Sequence, residues 1–254
     1  MVSDDTVLQV STSRGIATLT LDSPANRNAL SRAMRAQLRT ALADALADDA
    51  VRVVVLDHTG RVFCSGMDLT EAAGGAAGDQ GVRELPELLE TVWRSPKPVV
   101  AVLRGPADWG WRPRATSSSP RASATFAFSE VRLGIVPAVI STVVLPRMLP
   151  HTAHRLMLTG EVFDAATAAA GGLVDLCVPD DEVDPAVAAR VTALATGGPA
   201  ALAETKRLLR AGGLHGSAEE LLELSARFFA GEEGQEGIAA FREKRPARWV
   251  PAAD

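Results

Sequence analysis

Val51 to Leu56 is, apart from Arg52, an unbroken run of Val and Leu. A strand open to water on one face alternates apolar and polar residues, whereas one covered on both faces does not. The run therefore predicts a strand buried on both sides, and Val99 to Leu103 predicts a second. Such strands need helices on either face, so the chain reads as an α/β protein with a largely parallel sheet. Past the turn at Thr59-Gly60, the first run empties into Val62-Phe63-Cys64-Ser65-Gly66-Met67-Asp68-Leu69. Cys-Ser-Gly is a small-residue turn that brings bare backbone N–H groups to a surface. Fixed donors of that kind are what an acyl-transfer or enolate chemistry needs for its oxyanion. Taken alone, the same turn also fits plain punctuation between elements.

The rest of the chain alternates in period around these strands. Val7–Val10 and Ile16–Leu21 flank Arg14-Gly15 as a β-hairpin. Met34, Leu38, Leu42 and Leu46 recur at helix period, with Ser31 or Asn28 as N-cap. Strand, helix, strand in that order predicts a right-handed crossover. Thr70 to Gly81 is Gly/Ala-rich and is expected to be a loop, and Leu85 to Trp93 a helix broken by Pro96-Lys97-Pro98. Ala124–Phe128 reads as a strand, and Val139–Met148, His151–Leu158 and Asp164–Ala170 as helices. Leu173–Val178 reads as a last strand, with only helix from Asp184 onward. The expected division is a β/α core over 1–195 and a helical region over 196–254.

Composition closes off several classes. Aromatics are 4% and Tyr is absent, so small aliphatic residues must fill the core. The formal net charge is −5 and no stretch concentrates Lys and Arg as a nucleic-acid groove does. Cys64 and Cys177 sit far apart without disulfide or metal-ligand spacing, and His151 and His154 lack an acidic or thiol partner pattern nearby. No window has the length of a membrane span, and the acidic start Met1-Val2-Ser3-Asp4-Asp5 has no apolar signal core. A reducing cytoplasm is the expected compartment.

Seven segments, in order and over nearly the whole chain, resemble the enoyl-CoA hydratase/isomerase (crotonase) family. They are Ser23–Leu30, Phe63–Leu69, Lys97–Val102 with Gly105-Pro106-Ala107, Ala124 through Pro137, Leu158–Glu161, Ala170–Asp175 and Phe241–Arg245. The resemblance implies a crotonase-like spiral of ββα units, followed by helices that build a homotrimer or a dimer of trimers. It implies an acyl-CoA substrate, with coenzyme A as part of the substrate and no further cofactor or metal. Two backbone amides would stabilise a thioester enolate: Met67 and, counting on from Gly105-Pro106-Ala107, Gly110. The family's second glutamate maps to Glu130 as catalytic acid/base, and its first maps to Pro113, which can serve as neither. The CoA contacts map to Arg27, Ala29 and Leu30, and to Ser65, Gly66, Asp68 and Leu69. Arg27 would meet a phosphate as a charge-assisted pair, with Lys244 and Arg245 as further candidates. Val136–Ser141 looks like the form seen in branched or glutaconyl-type hydratases. The implied activity is water addition to a 2-enoyl-CoA, with an isomerase using Glu130 alone, or an acyl-CoA-binding protein without turnover, as the alternatives.

Asp108 to Arg121 fits none of this. It carries two Trp, two Pro, three Arg and a Ser run, with neither helical nor strand period. In a GC-rich gene, triplets begun at the third base of the Asp108 codon turn Trp109–Arg121 into Leu-Gly-Leu-Ala-Ala-Ala-Cys-Asp-Leu-Val-Val-Ala-Ala. That string resembles the family's glycine-rich helix and the strand after it, and it carries no Glu for the first acid position. As written, Pro113 and Pro120 interrupt any helix, so 108–121 is expected to be a poorly ordered loop with a loose or absent second donor.

Overall fold

The computed structural model describes residues 6–68, 71, 76–105, 117–210 and 217–252. Strands β1 (Leu8–Ser13) and β2 (Ile16–Leu21) form the expected antiparallel hairpin. Helix α1 (Arg32–Ala47) then leads to β3 (Val53–His58), which runs parallel to β2. Ser31 is the N-cap of α1, its hydroxyl accepting from Met34 N at 3.2 Å. Helix α2 (Ala76–Arg94) precedes β4 (Val99–Leu103), and β5 (Ser117–Pro120) closes a five-stranded sheet in the order β1-β2-β3-β4-β5.

Both apolar runs are buried on two sides, and their residues divide by parity. Val54 and Leu56 of β3, with Val99, Ala101 and Leu103 of β4, share one cluster with Leu38 and Leu42 of α1 and Leu88, Leu89 and Val92 of α2. Val53, Val55, Val100 and Val102 face the other way, against Val183 and Val191 of helix α6 (Val183–Ala195). Period 2 in the side chains thus puts one strand in two cores, and polar residues enter β3 only at its C-terminal end, Asp57 and His58.

A second unit follows. Strand β6 (Thr125–Ala127) pairs antiparallel with β7 (Val162–Asp164). Between them lie a 3-10 turn (Glu130–Leu133) and helices α3 (Ala138–Val144) and α4 (Pro150–Thr159), and α5 (Ala165–Ala170) comes after. Phe126, Phe128 and Phe163 centre its core. Helices α6, α7 (Pro199–Arg210), α8 (Ala218–Ala230) and α9 (Glu232–Glu243) complete the described chain.

Four expectations are corrected. Residues 76–81 belong to α2 and not to a loop; the helical period set by Leu85, Leu88 and Val92 carries back through Ala76-Ala77, good helix formers. The expected strand Leu173–Val178 shrinks to one bridge between Val178 and Arg121, because Leu173 and Val174 pack into the helical cluster of the second unit. The expected helix Val139–Met148 stops at Val144, and β7 was not foreseen. Ser117–Pro120, expected as loop, is a strand. The buried β4 leaves a row of backbone groups that need partners, and β5 supplies them in parallel register, Val100 opposite Ser117 through Leu103 opposite Pro120. Pro120 has no N–H to give, which the last strand of a sheet tolerates. The expected disorder of 108–116 lies outside the described residues.

Candidate functional site

The C-terminal ends of β3 and β4 carry the candidate chemistry. After β3 the chain turns through Thr59-Gly60 and reaches Phe63 and Cys64, both buried, and then Ser65, Gly66, Met67 and Asp68, half-buried. Gly66 has φ 88°, a left-handed backbone open mainly to glycine. Leu30 N donates to Gly66 O at 2.8 Å, and Leu30 and Met67 form a parallel bridge. The Arg27–Leu30 turn is thereby clipped to the Cys64–Met67 turn, which joins two segments the sequence assigned to one cleft. Ser65 Oγ adds a long bond to Asn26 O at 3.4 Å. Arg27 is exposed, whereas Ala29 and Leu30 are buried.

Asn28 organises this corner. It is fully buried at φ 54°, a conformation Asn tolerates better than most residues. Its Oδ1 accepts from Ser23 N at 2.7 Å, and its Nδ2 donates to Thr59 O at 3.0 Å and Val62 O at 2.8 Å. One side chain thus ties three backbone segments together. Asn28→Ala strands Ser23 N and Val62 O, takes one of two donors from Thr59 O, and is expected to cost about 3 kcal/mol of unfolding free energy, read by urea denaturation. Asn28→Gly, which keeps the left-handed backbone, is expected to lose nearly as much. A variant within about 0.5 kcal/mol of wild type would remove the clamp role. Beneath the corner, buried Arg35 donates to Leu30 O at 2.5 Å and to Glu84 Oε2 at 2.8 Å, which fixes the carbonyl side of the turn.

At the end of β4, Gly105 packs so closely on the Arg61 carbonyl that any Cβ would overlap it. Arg104 N donates to His58 Nε2 at 3.1 Å, and the Arg104 guanidinium lies 3.2 Å from Asp57 and 2.5 Å from Asp184. The second expected donor, Gly110, and the CoA contact at Leu69 lie outside the described residues.

Glu130 sits on the second unit, opening the 3-10 turn that follows buried Phe128 and ends at Gly134, φ 72°. It is half-buried, and its Oε2 is shielded from water without a hydrogen-bond partner. Burial pushes its carboxyl above the ordinary carboxylate range. Arg245, a candidate for phosphate, is already engaged by Glu236 at 2.7 Å and Glu243 at 2.5 Å. Lys244 is the left-handed C-cap of α9. An apolar groove of about 550 Å³ between the hairpin and α1, lined by Leu8, Val10, Ala17 and Ala41, holds none of these groups. Among the described residues no cluster of His, Cys, Asp and Glu is placed to hold a metal ion, and no single helix is long and apolar enough to cross a membrane.

Sequence reasoning missed Asn28 as a clamp, Arg35, and His58. Of the three, only Arg35, between Met34 and Ala36 on the helix-period run, had a signal in its neighbours.

The Cys64–Met67 turn follows a parallel strand of the sheet, and Glu130 carries an unpartnered carboxylate oxygen on the second unit of this α/β protein. The Enoyl-CoA hydratase/isomerase family model matches residues 11–251. A probable enoyl-CoA hydratase of Rhodobacter capsulatus is 36% identical over 94% of this chain and 95% of its own length. A putative enoyl-CoA hydratase of Thermus thermophilus is 34% identical over 92% of this chain and 97% of its own. The crystal structure of an enoyl-CoA hydratase from Shewanella pealeana superposes with a TM-score of 0.88 at 29% identity, covering 96% of both chains. The chain belongs to the enoyl-CoA hydratase/isomerase, or crotonase, family. It has the crotonase-like fold and is an acyl-CoA enzyme of the hydratase/lyase type.

Proposed function

We propose that the chain adds water across the double bond of a 2-enoyl-CoA thioester with Glu130 as its one acid/base. The observation that carries this is the Glu130 carboxyl. A buried, unpartnered carboxylate oxygen destabilises the fold, and such groups are kept where chemistry uses them. In the reaction Glu130 takes a proton from water as the water oxygen bonds to C3. The double-bond electrons move onto the thioester oxygen, which the Met67 and Gly110 amides stabilise. The enolate then collapses, and C2 takes the proton back from Glu130. Fixed dipoles facing the oxygen need no reorganisation as charge develops there. Arg27, the backbone of Ala29 and Leu30, and Ser65, Gly66, Asp68 and Leu69 form the CoA side of the cleft in this reading.

Assembly as a trimer or a dimer of trimers is part of the same proposal. Leu209, Leu222, Phe229 and Phe241 on α7 to α9 are exposed in the single chain, Phe241 by 85%, and they supply an apolar face to cover. The helical region from residue 196 is the assembly element in this reading. Free Cys64 and Cys177 suit a reducing cytoplasm.

One observation favours a second reading, acyl-CoA binding without turnover: Pro113 stands where the family's first glutamate falls. The test is loss of enoyl-thioester absorbance with crotonyl-CoA and with a methylglutaconyl-CoA. Turnover on either supports the hydratase, and Kd values for both without turnover support the second reading.

A further inference from the structure

His58 is the last residue of β3 and is 6% exposed, with its ring edge-on to Phe63 at 5.4 Å between centroids. Both ring nitrogens are used. Arg104 N can only donate, so Nε2, 3.1 Å away, must be unprotonated. Thr59 O can only accept, so Nδ1, 3.2 Å away, must carry the hydrogen. The two bonds agree on a single neutral tautomer. They also join different parts of the site. Thr59 opens the turn that runs to Cys64–Met67, and Arg104 and Gly105 follow the end of β4. The two segments already meet backbone to backbone where Gly105 packs on the Arg61 carbonyl, and His58 is the side chain that spans them.

We propose that His58 is a positioning residue: its neutral ring, donating to Thr59 O and accepting from Arg104 N, holds the turn that leads from β3 to the Met67 amide in register with Arg104-Gly105 at the end of β4. The proposal deepens the hydratase reading and rests on it for the catalytic consequence. Protonating the ring would turn Nε2 from acceptor into donor, against an N–H, and the bond to Arg104 would be lost. Every charged group that bears on the ring is local. Asp57, whose carboxylate accepts from His58 N at 2.8 Å, favours the charged form. Arg104 and Arg121 oppose it, and burial, the largest effect, opposes it too. Asp22 is engaged one residue away by the Thr59 hydroxyl at 2.5 Å, and Asp184 acts on the ring only through Arg104. Burial and the two arginines thus hold the ring below its ordinary pKa, on the side of the neutral form that both hydrogen bonds require.

The first test needs no activity. In ¹⁵N NMR of the selectively labelled chain, the His58 ring should show a protonated Nδ1 and a bare Nε2; the opposite tautomer overturns the proposal. The second uses two variants. Asn can replace Nδ1 but leaves Arg104 N–H without an acceptor, whereas Gln places an oxygen near Nε2. Relative to wild type, His58→Asn should lower kcat for crotonyl-CoA about tenfold with KM within about twofold, and expose the Arg104 amide to hydrogen exchange. His58→Gln should restore most of both. A His58→Asn enzyme that melts earlier but keeps wild-type kcat would make the residue merely structural and overturn the proposal. If the wild-type chain shows no turnover, the hydratase reading fails, and the tautomer and the Arg104 exchange still decide the role of His58.

Discussion

A chain in which residues 109–121 read Leu-Gly-Leu-Ala-Ala-Ala-Cys-Asp-Leu-Val-Val-Ala-Ala is expected to melt well above the present one. The reason lies in β5. Its positions stand in parallel register with Val100, Ala101, Val102 and Leu103, none of which is more than 1% exposed. The present chain puts Ser-Ser-Ser-Pro there; the re-read chain puts Leu-Val-Val-Ala. Replacing Ser by Leu or Val in such a place gains about 1–2 kcal/mol each by transfer from water. Arg121, whose Nε is buried without a hydrogen bond and meets Asp180 only at 3.9 Å, becomes Ala, which removes a poorly satisfied buried charge. Together these amount to about 5 kcal/mol, which for a chain of this length corresponds to a melting point about 10–20 °C higher. Differential scanning calorimetry of the two chains reads the shift, and equal midpoints would sink the idea. Resequencing tests it independently, since third-position bases that do not permit the re-reading would end it.

The strand-and-helix frame was legible wherever a period ran long enough. Val51–Leu56 and Val99–Leu103 carry no polar alternation, which only a doubly covered strand explains, and both became inner strands. β7 is three residues with one buried position, too short for any period to register. Leu173–Val178 misled because apolar residues serve helix packing as well as strands; Leu173 and Val174 went to the former. At the candidate site, Met67 and Ala29-Leu30 could be named from the sequence because the motif and the backbone they present are one local object. Asn28 and His58 could not, because their roles are bonds to partners 31, 34 and 46 residues away. No local pattern encodes such a pairing; folding does.

Glu130→Gln is expected to abolish turnover and to stabilise the protein at once. Gln keeps the size and most of the hydrogen-bonding shape of Glu but can neither take the proton of water nor return it to C2. With Pro113 where the family's other acid maps, the sequence offers no second carboxyl at that position to substitute for it. A loss in kcat of about 10²–10⁴-fold with little change in KM follows. The gain in stability has the opposite origin. Burial raises the Glu130 carboxyl above its ordinary value of 4.5, so the folded chain holds that proton to higher pH than the unfolded chain does. In that window the folded state binds more protons, and stability falls as pH rises. Above it the charged form is carried at a cost that Gln does not bear. The excess stability of Glu130→Gln should therefore be full near pH 8 and vanish below about pH 4.5, read as the difference in urea midpoints at the two ends. A variant that loses activity and stability together would show that Glu130 is a structural partner and not the acid/base. One that keeps turnover would move the proton to another group. Only the paired result, activity lost and neutral-pH stability gained, belongs to a carboxyl retained for chemistry.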